Sequence, residues 1–432
     1  MKEKEFAKEL IEFISNSPTS FHAVKSCKEI LKGEGFKELS LREKWDIKEG
    51  GKYFVTKNSS AITAFIVNSE NIEKEGFRII ASHSDAPSFR VKPNPEMISE
   101  KSYLKLNTET YGGPILNTWM DRPLSIAGRV TLKSDDILKP KEVLVNINKP
   151  ICIIPNVAIH MNRNVNSGIE LNKQVDMLPL LGMINENFEK DNFLIKEIAK
   201  ELNICMEDIL DFDMFLYEYE KGSLIGINEE FISSSRLDNL AMAHASINAF
   251  INSNNKKGIN VFVMFDNEEI GSATRQGADS PMLKNILERI NLSLKKDRED
   301  FFTGIYSSFM ISADMAHPVH PNKPQKHDPT NRPIINKGPV IKISSNYKYT
   351  SDSYSIGVYE NICREANVPY QKFVNKSDER GGSTIGPISS THLDIPSVDI
   401  GTPILAMHSI RELGGVIDHY YAYKSFLKFY EV

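Results

Sequence analysis

The sequence predicts an α/β protein in which a mixed sheet carries helices on both faces and a β-rich insertion interrupts the chain. Short apolar runs that end in polar residues, such as residues 77–82 and 259–265, alternate with segments of helical periodicity. Strands that alternate with helices are typical of a sheet covered on both sides. In contrast, residues 103–160 are rich in Thr, Val and Ile and are interrupted by Gly-Gly and Lys-Pro, which indicates paired strands.

Apolar periodicity predicts the elements of the α/β part in order. Apolar side chains share one face over residues 4–15 and again over residues 21–31, which predicts two amphipathic helices. Residues 77–82 form a buried strand with His83 and Asp85 at its carboxyl end. Further strands are expected at 52–68, 259–265, 308–313, 339–344 and 397–400, and further helices at 237–251, 280–294, 351–365 and 412–428.

Two domains are expected from this pattern. Residues 1–92 and 228–432 form a discontinuous α/β domain, and residues 93–227 form the inserted β-rich domain. Within the insertion, residues 161–200 are polar, Asn-rich and irregular, and residues 212–220 are extended. The insertion is about as long as an ordinary domain.

Composition and charge exclude several classes of protein. Of the 432 residues, 41% are hydrophobic and 25% are charged, as in an ordinary globular protein. The 52 basic and 57 acidic residues leave a net charge of −5 without an aromatic-basic stripe, so nucleic-acid binding is not expected. No stretch approaches about 18 consecutive apolar residues, so no membrane span is expected.

The amino-terminal segment and the cysteines favour the cytoplasm. Acidic and basic residues alternate over residues 2–9 with no apolar stretch after them, so no secretory signal is expected. Cys27, Cys152, Cys205 and Cys363 are far apart, which argues against a disulfide framework and a Cys-based zinc site. Scattered reduced thiols are typical of cytosolic proteins.

Five segments place acidic and imidazole groups at predicted strand ends or at the start of a helix. They contain His83 with Asp85, Asp238, the adjacent Glu268 and Glu269, Asp314, and His408. Each segment alone is a weak signal, and Asp238 alone is better explained as a helix N-cap than as a metal ligand. The ordered set is a strong one, because open α/β sheets bind ligands at the carboxyl ends of their strands.

Two histidines and three acids with a spare glutamate make up an O- and N-rich ligand set, which suits zinc, with cobalt or manganese as substitutes. A histidine followed two residues later by Asp suits a metal ligand whose ring a carboxylate orients. Glu268 and Glu269 are placed to divide two roles, one binding metal and the other acting as general base.

In these motifs the sequence resembles the aspartyl aminopeptidase family of dizinc exopeptidases. The resemblance extends over nearly the whole chain. The matching motifs lie at residues 17–23, 82–85, 235–239, 266–272, 312–317 and 406–409. The resemblance implies a mixed-sheet α/β/α exopeptidase domain with an inserted β-rich dimerisation or lid domain. It also implies a hydrolase, a metalloprotease that removes the first residue from peptides with a free N-terminus.

The resemblance implies two zinc ions per subunit. The implied ligands are His83 and Asp314 for one ion, Glu269 and His408 for the other, and Asp238 for both. Asp85 would orient His83, and Glu268 would act as general base for a metal-activated water.

Four further positions match residues that the family uses around its substrate: His160, His317, Lys342 and Tyr349. In the family, the residue matching His160 reaches the active site of a neighbouring subunit. The resemblance therefore implies a homo-oligomer built from dimers, up to a tetrahedral dodecamer.

The sequence leaves two questions open: which N-terminal residue the enzyme prefers, and whether the protein is a catalyst at all. The protein either prefers N-terminal Asp or Glu, or is a related dizinc peptidase with broad, neutral or basic N-terminal specificity. The rival from another class is a non-catalytic, self-assembling scaffold on the same fold. Retention of Glu268 beside a complete ligand set argues against the scaffold, since a scaffold needs no base.

Overall fold

The computed structural model describes residues 2–184 and 192–432, which fall into two compact units. The units are made up of the described residues of 1–85, 222–407 and 412–432, and those of 86–221 and 408–411. The second unit therefore begins before residue 93 and also takes in residues 408–411, which lie far along the chain from the predicted insertion. Its assignment as a dimerisation or lid domain stays a prediction.

Helices alternate with strands along most of the first unit, and α4 belongs to the second unit. The helices of the described residues are α1 (Lys2–Ser15), α2 (Ser20–Gly33), α3 (Ile72–Glu75), α4 (Phe193–Leu202), α5 (Leu237–Asn252), α6 (Met282–Ser293), α7 (Arg298–Tyr306), α8 (Ser353–Glu365), α9 (Ile385–Leu393) and α10 (Val416–Glu431). Among these residues, no helix is both long enough and apolar enough to cross a bilayer.

The strands divide between the two units. Those of the first unit are β1 (Lys37–Glu38), β2 (Lys52–Lys57), β3 (Ala61–Val67), β4 (Phe77–His83), β11 (Ser223–Ile225), β12 (Phe231–Ser234), β13 (Ile259–Phe265), β14 (Phe309–Ala313), β15 (Val340–Ile343), β16 (Gln371–Val374), β17 (Ser397–Gly401), β18 (Ile404–Leu405) and β19 (Glu412–Gly415). Those of the second unit are β5 (Ser88–Ser99), β6 (Tyr103–Tyr111), β7 (Leu124–Leu132), β8 (Lys141–Asn146), β9 (Leu180–Met183) and β10 (Ile209–Glu218).

A mixed sheet forms the centre of the first unit. Its described strands follow the order β1-β2-β3-β13-β4-β14-β17-β15-β16. The central strands β13, β4, β14 and β17 run parallel, whereas β2, β3 and β15 each have an antiparallel neighbour. A smaller antiparallel sheet of the same unit has the order β11-β12-β19-β18.

Both faces of the mixed sheet are buried. On β13, Phe262 and Met264 belong to the core that contains α1, α2, α5, α8 and α10, while Val261 and Val263 belong to the core with α6, α7 and α9. A strand buried on both faces is expected to be continuously apolar, which explains why its sequence does not alternate. The predicted mixed-sheet α/β class is confirmed.

The second unit is built on an antiparallel sheet with the order β8-β7-β10-β5-β6-β9. Leu194 and Ile198 of α4 pack into its core beside Val130 and Met214. These two apolar residues are four positions apart and so share one face of the helix. This packing orders part of the segment that the sequence analysis expected to be irregular, so that expectation is wrong for α4.

A second difference concerns the helix expected over residues 412–428. Its first four residues form β19 instead, and the helix begins at Val416. β19 pairs antiparallel with β12, with Ser234 opposite Glu412. The two glycines in this segment disfavour a helix, and pairing with a strand far away in sequence determines the outcome.

Two histidines form a buried pair among α1, α5 and α10. His244 Nδ1 lies 3.0 Å from His419 Nε2, and the ring of Phe6 lies 4.9 Å and 4.7 Å from the two imidazole centroids. Burial lowers the pKa of His244 to about 3. Burial, together with the neighbouring His244, also lowers the pKa of His419 well below its ordinary value. Both rings are therefore neutral at pH 7.

The buried pair should make the fold sensitive to acid. The unfolded chain binds protons at these histidines below pH 6.5, whereas folded His244 does so only near pH 3. The free energy of unfolding should therefore fall as the pH drops through this window, by up to about 1.4 kcal/mol per pH unit and histidine. In urea titrations of metal-free protein at pH 7 and pH 5, His244→Gln should lose part of this dependence. His392 is half-exposed, and His392→Gln should retain the full pH dependence of the free energy of unfolding. Equal pH dependence in wild type and His244→Gln would contradict the prediction.

Candidate metal centre

The carboxyl ends of neighbouring parallel strands bring predicted ligands of the first unit together. β4 ends at His83, β13 ends at Phe265 shortly before Glu268 and Glu269, and β14 ends just before Asp314. Phe265 stands directly opposite His83 in the parallel register. Because β13, β4 and β14 are adjacent, the polar residues that follow them converge at one edge of the sheet.

His83 lies at the centre of the cluster and is 1% exposed. Its Nε2 lies 3.5 Å from Oδ1 of Asp238 and 3.5 Å from Oδ1 of Asp314. Its Nδ1 lies 3.1 Å from the main-chain oxygen of Asp85 and 3.4 Å from Oδ1 of the same residue. An N–H at Nδ1 that donates to Asp85 leaves Nε2 as the nitrogen available to a metal. Burial lowers the pKa of His83, but the three carboxylates outweigh burial and bring it well above its ordinary value.

Asp85 also shapes the turn that carries the two glutamates. Its Oδ1 accepts the N–H of Glu268 at 3.1 Å, and its Oδ2 accepts the N–H of Glu269 at 3.2 Å. The turn Glu268–Ile270 is a short 3-10 helix that follows Asn267, whose φ is 63°. Asparagine tolerates this left-handed conformation better than most residues. One carboxylate thus positions both His83 and the glutamate pair.

Asp238 is positioned by Glu412, a residue that the sequence analysis missed. The N–H of Asp238 donates to Oε2 of Glu412 at 3.0 Å, and Glu412 is 2% exposed. The peptide bond between Asp238 and Asn239 is cis. Asp238 lies in the first turn of α5 with a non-helical backbone (φ −80°, ψ 104°). Glu412 lies 174 positions away and stands in no recognisable motif, so no sequence signal pointed to it.

Burial among like charges raises the pKa of both glutamates. Burial has the largest effect on Glu268, and nearby carboxylates such as Asp314 outweigh the opposing charge of His83, so that its pKa rises to about 8. Burial, followed by the charge of Asp238, raises the pKa of Glu269 well above its ordinary value. Buried charges of one sign are unfavourable unless they are paired, so this cluster favours a bound cation.

Lys342 and Tyr349, two of the predicted substrate residues, lie close to Asp314. Nζ of Lys342 is 3.3 Å from Oδ2 of Asp314 and 3.1 Å from the main-chain oxygen of Met315. The ammonium is also 5.4 Å from the centroid of the Tyr349 ring, within cation-π range. Burial lowers the pKa of Lys342, but Asp314 and then Asp399 outweigh burial and raise it above its ordinary value. Lys342 is therefore a charged group that is already paired with Asp314.

His317, the third predicted substrate residue, lines a cavity of about 260 Å³ in the first unit. The lining also includes Phe373, whose ring centroid lies 5.9 Å from that of His317, together with residues 381–382 and Met407. Burial, and secondly the charge of Lys342, lowers the pKa of His317. A neutral imidazole thus faces a cavity whose glycine wall lets a ligand approach the backbone.

His408 and His160 both lie in the second unit. Nδ1 of His408 lies 3.1 Å from the main-chain oxygen of Gly113, so an N–H there leaves Nε2 for another partner. The main-chain oxygen of His408 accepts the N–H of Ile115 at 2.9 Å. His160 is exposed and lies in a turn. Their predicted roles, as a zinc ligand and as a residue that reaches a neighbouring subunit, stay predictions.

The donor set fits zinc. Ligand atoms of His83, Asp238 and Asp314 lie within 4.8 Å of one another, and the same holds for His83, Glu268 and Glu269. Imidazole nitrogen and carboxylate oxygen are ordinary zinc ligands. The carboxylates of the cluster carry more negative charge than a protonated His83 can offset. A bound dication would offset the remainder.

A buried imidazole–carboxylate cluster at the carboxyl edge of a mixed α/β sheet is suited to a metal-dependent hydrolase. The chain belongs to the M18 family: the family description "Aminopeptidase I zinc metalloprotease (M18)" matches residues 13–430. The protein is a metallo-aminopeptidase, which confirms the predicted family and the predicted class of enzyme.

Known proteins resemble the chain along its whole length. It is 64% identical over 433 residues to the "Probable M18 family aminopeptidase 2" of Clostridium novyi, with 100% of both chains covered. A chain in the structure of the Ape4 and Nbr1 complex has a TM-score of 0.94 and 38% identity, covering 99% of this chain and 86% of that one. A chain of the S. cerevisiae mApe1 dodecamer has a TM-score of 0.86 and 27% identity, with 99% and 97% covered.

Removing the Asp85 carboxylate should disturb His83 and both glutamates at once. In Asp85→Ala, kcat/KM should fall about 10- to 100-fold, the usual range for a residue that orients metal ligands. Bound zinc per subunit should also fall when free zinc is limiting, as measured by metal analysis after dialysis. The exposed Asp46→Ala should change neither quantity. Full zinc content and unchanged kcat/KM in Asp85→Ala would contradict the positioning role.

Proposed function

We propose that this metallo-aminopeptidase uses two zinc ions per subunit and removes the N-terminal residue of peptides with Glu268 as general base. The position of His83 carries the proposal, because its Nε2 faces carboxylate oxygens of both Asp238 and Asp314 at 3.5 Å. Glu268 follows the adjacent strand and is held by Asp85, which also holds His83.

The proposed ligands combine the observed cluster with the resemblance. They are His83 and Asp314 for one ion, Glu269 and His408 for the other, and Asp238 for both. The first pair and Asp238 form one observed group, and Glu269 belongs to a second group that shares His83. His408 is assigned from its sequence motif. Cobalt or manganese would serve as substitutes in a site with these donors.

Zinc, when bound, lowers the pKa of water and polarises a peptide carbonyl. In the proposed reaction a carboxylate oxygen of Glu268 takes the proton of the attacking water and passes it to the nitrogen of the leaving amine. Asp85 keeps the main chain of Glu268 and the ring of His83 in place during both transfers.

A preference for N-terminal Asp or Glu is supported by the charges around the cavity that His317 lines. The lining includes Lys326, Lys376 and Arg380 but only one acid, Glu379. Lys326 pairs with Glu379 at 2.6 Å, whereas Arg380 forms no ion pair within the described part of the chain. An unpaired guanidinium suits a carboxylate, which it can bind through two parallel hydrogen bonds.

Lys342 and Tyr349 have a different proposed role from Arg380. Lys342 is 2% exposed and pairs with Asp314, so its charge is already used inside the site. We assign it and Tyr349 to the boundary of the substrate site next to Asp314, and we assign Arg380 to the acidic side chain.

The working form is proposed to be a cytoplasmic homo-oligomer built from dimers, up to a dodecamer. The related S. cerevisiae mApe1 forms a dodecamer. His160 is flanked by Ile159 and Met161, which are 49% and 78% exposed. Exposed apolar side chains beside a polar residue are typical of a surface that another protein covers. This supports the proposal that His160 reaches a neighbouring active site. The cysteines, which are all free, suit the reducing cytoplasm.

The adjacent glutamates allow a matched test of the mechanism. Glu268→Gln should lower kcat by about 10²- to 10⁴-fold, because it removes the general base, and should retain two zinc ions per subunit. Glu269→Gln should lose zinc from one site. The measurement is turnover of aminoacyl anilides together with metal analysis of each purified variant. Near wild-type turnover by Glu268→Gln would refute its role as base, and full zinc in Glu269→Gln would refute its role as ligand.

Specificity is tested with a panel of Asp, Glu, Leu and Lys anilides. An acidic preference predicts the highest kcat/KM for Asp and Glu. Arg380→Gln should lower the ratio of Glu to Leu turnover roughly tenfold by removing a charged hydrogen bond, and should leave Leu turnover unchanged. Arg42→Gln, an exposed arginine outside the cavity lining, serves as control. Faster turnover of Leu or Lys by the wild type would establish the broad, neutral or basic alternative.

A further inference from the structure

A buried carboxylate in the apolar strand β17 has no role in the proposed mechanism. Asp399 is 0% exposed, and its neighbours Val398 and Ile400 are core residues. A carboxylate in such a place is unfavourable unless hydrogen bonds compensate for the lost water. Strands β15 and β17 are antiparallel, and Ile341 stands opposite Ile400. The next residues along the two strands, Lys342 and Asp399, are therefore neighbours.

Two loops supply hydrogen bonds to Asp399. Oδ2 accepts the N–H of Thr350 at 2.6 Å, and Oδ1 accepts the hydroxyl of Thr384 at 2.7 Å. The N–H of Asp399 donates to Oγ of Ser351 at 2.9 Å. A Cβ on Gly386 would lie 2.4 Å from Oδ2, so the carboxylate has little room to move.

Thr384 makes this contact from the start of a helix. It stands at the N-cap of α9, yet its side chain forms no hydrogen bond to the helix. An N-cap threonine ordinarily accepts an N–H from the first turn. Its hydroxyl donates to Asp399, so this hydrogen bond ties the loop before α9 to the central sheet.

Both loops carry residues of the substrate site. Thr350 directly follows Tyr349, and Thr384 follows residues 381–382, which belong to the cavity wall. We propose that Asp399 is a positioning residue for substrate binding, because it holds both loops against the sheet and so sets where Tyr349 lies relative to the cavity wall. This inference rests on the proposed function, which assigns Tyr349 and the cavity to the substrate.

Asp418 offers a matched comparison for a purely structural role. It is also 0% exposed, and it accepts the N–H of Asn336 at 2.5 Å and the N–H of Gly338 at 2.7 Å. Neither Asp418 nor these two partners lines the cavity. Both aspartates stabilise a loop, so loss of either should lower the melting temperature. Only the bonds to Asp399 should affect the binding of substrate.

The test compares Thr384→Val, Thr384→Ser, Asp399→Asn and Asp418→Asn in the zinc-loaded, full-length protein. Thr384→Val removes one hydrogen bond and leaves the charge in place. Its KM for an aminoacyl anilide should rise roughly tenfold while kcat stays within about twofold. Thr384→Ser keeps the hydroxyl and should return KM to the wild-type value. Asp399→Asn should raise KM too, because a neutral amide is a weaker acceptor. Asp418→Asn should lower Tm without changing KM.

Amide hydrogen exchange gives a second readout. Exchange over residues 344–352 and 375–384 should be faster in Thr384→Val than in the wild type, and unchanged in Asp418→Asn. Unchanged KM in Thr384→Val and Asp399→Asn, with Tm lowered as in Asp418→Asn, would show a structural role only and would overturn the inference. Absence of turnover by zinc-loaded wild type would instead overturn the proposed function, and the assignment of Tyr349 with it.

Discussion

Buried carboxylates crowd the carboxyl edge of the first unit's sheet, and the rest of the site is arranged to offset their charge. His83 faces Asp238 and Asp314, and Lys342 pairs with Asp314 from the other side. The pKa of Glu268 is nevertheless raised to about 8, because burial and its neighbours disfavour another negative charge. A site with this excess of negative charge favours binding of a dication. The same carboxylates therefore serve both metal binding and catalysis.

The same chemistry also holds the backbone in place. Asp85, Glu412, Asp399 and Asp418 each accept a main-chain N–H from a segment distant in sequence. A charged acceptor makes a stronger hydrogen bond than a neutral one, especially where water is excluded. Each carboxylate therefore anchors a turn that would otherwise be free to move. Rigid turns matter in a peptidase, since small displacements of reacting groups lower the rate steeply.

Prediction from the sequence succeeded where a signal is local. The strand at residues 259–265 is continuously apolar, and β13 occupies those residues. The motifs around His83, Asp238, Glu268 and Asp314 are short and each borders a predicted element, so their convergence in the first unit could be expected. The start of α10 and the presence of α4 were missed, because pairing of β19 with β12 and burial of α4 against the second sheet decide them.

The sequence by itself determined the fold class, the family and the chemistry of the metal cluster. The periodicity of apolar residues and the order of the motifs are local features that can be recognised without the tertiary structure. Only the tertiary structure decided which carboxylates position the others. Glu412 supports Asp238 from 174 positions away, and Asp399 links two loops through a strand that reads as ordinary core. Nothing local marks such residues, since a buried carboxylate is stabilised by donors that only folding brings to it.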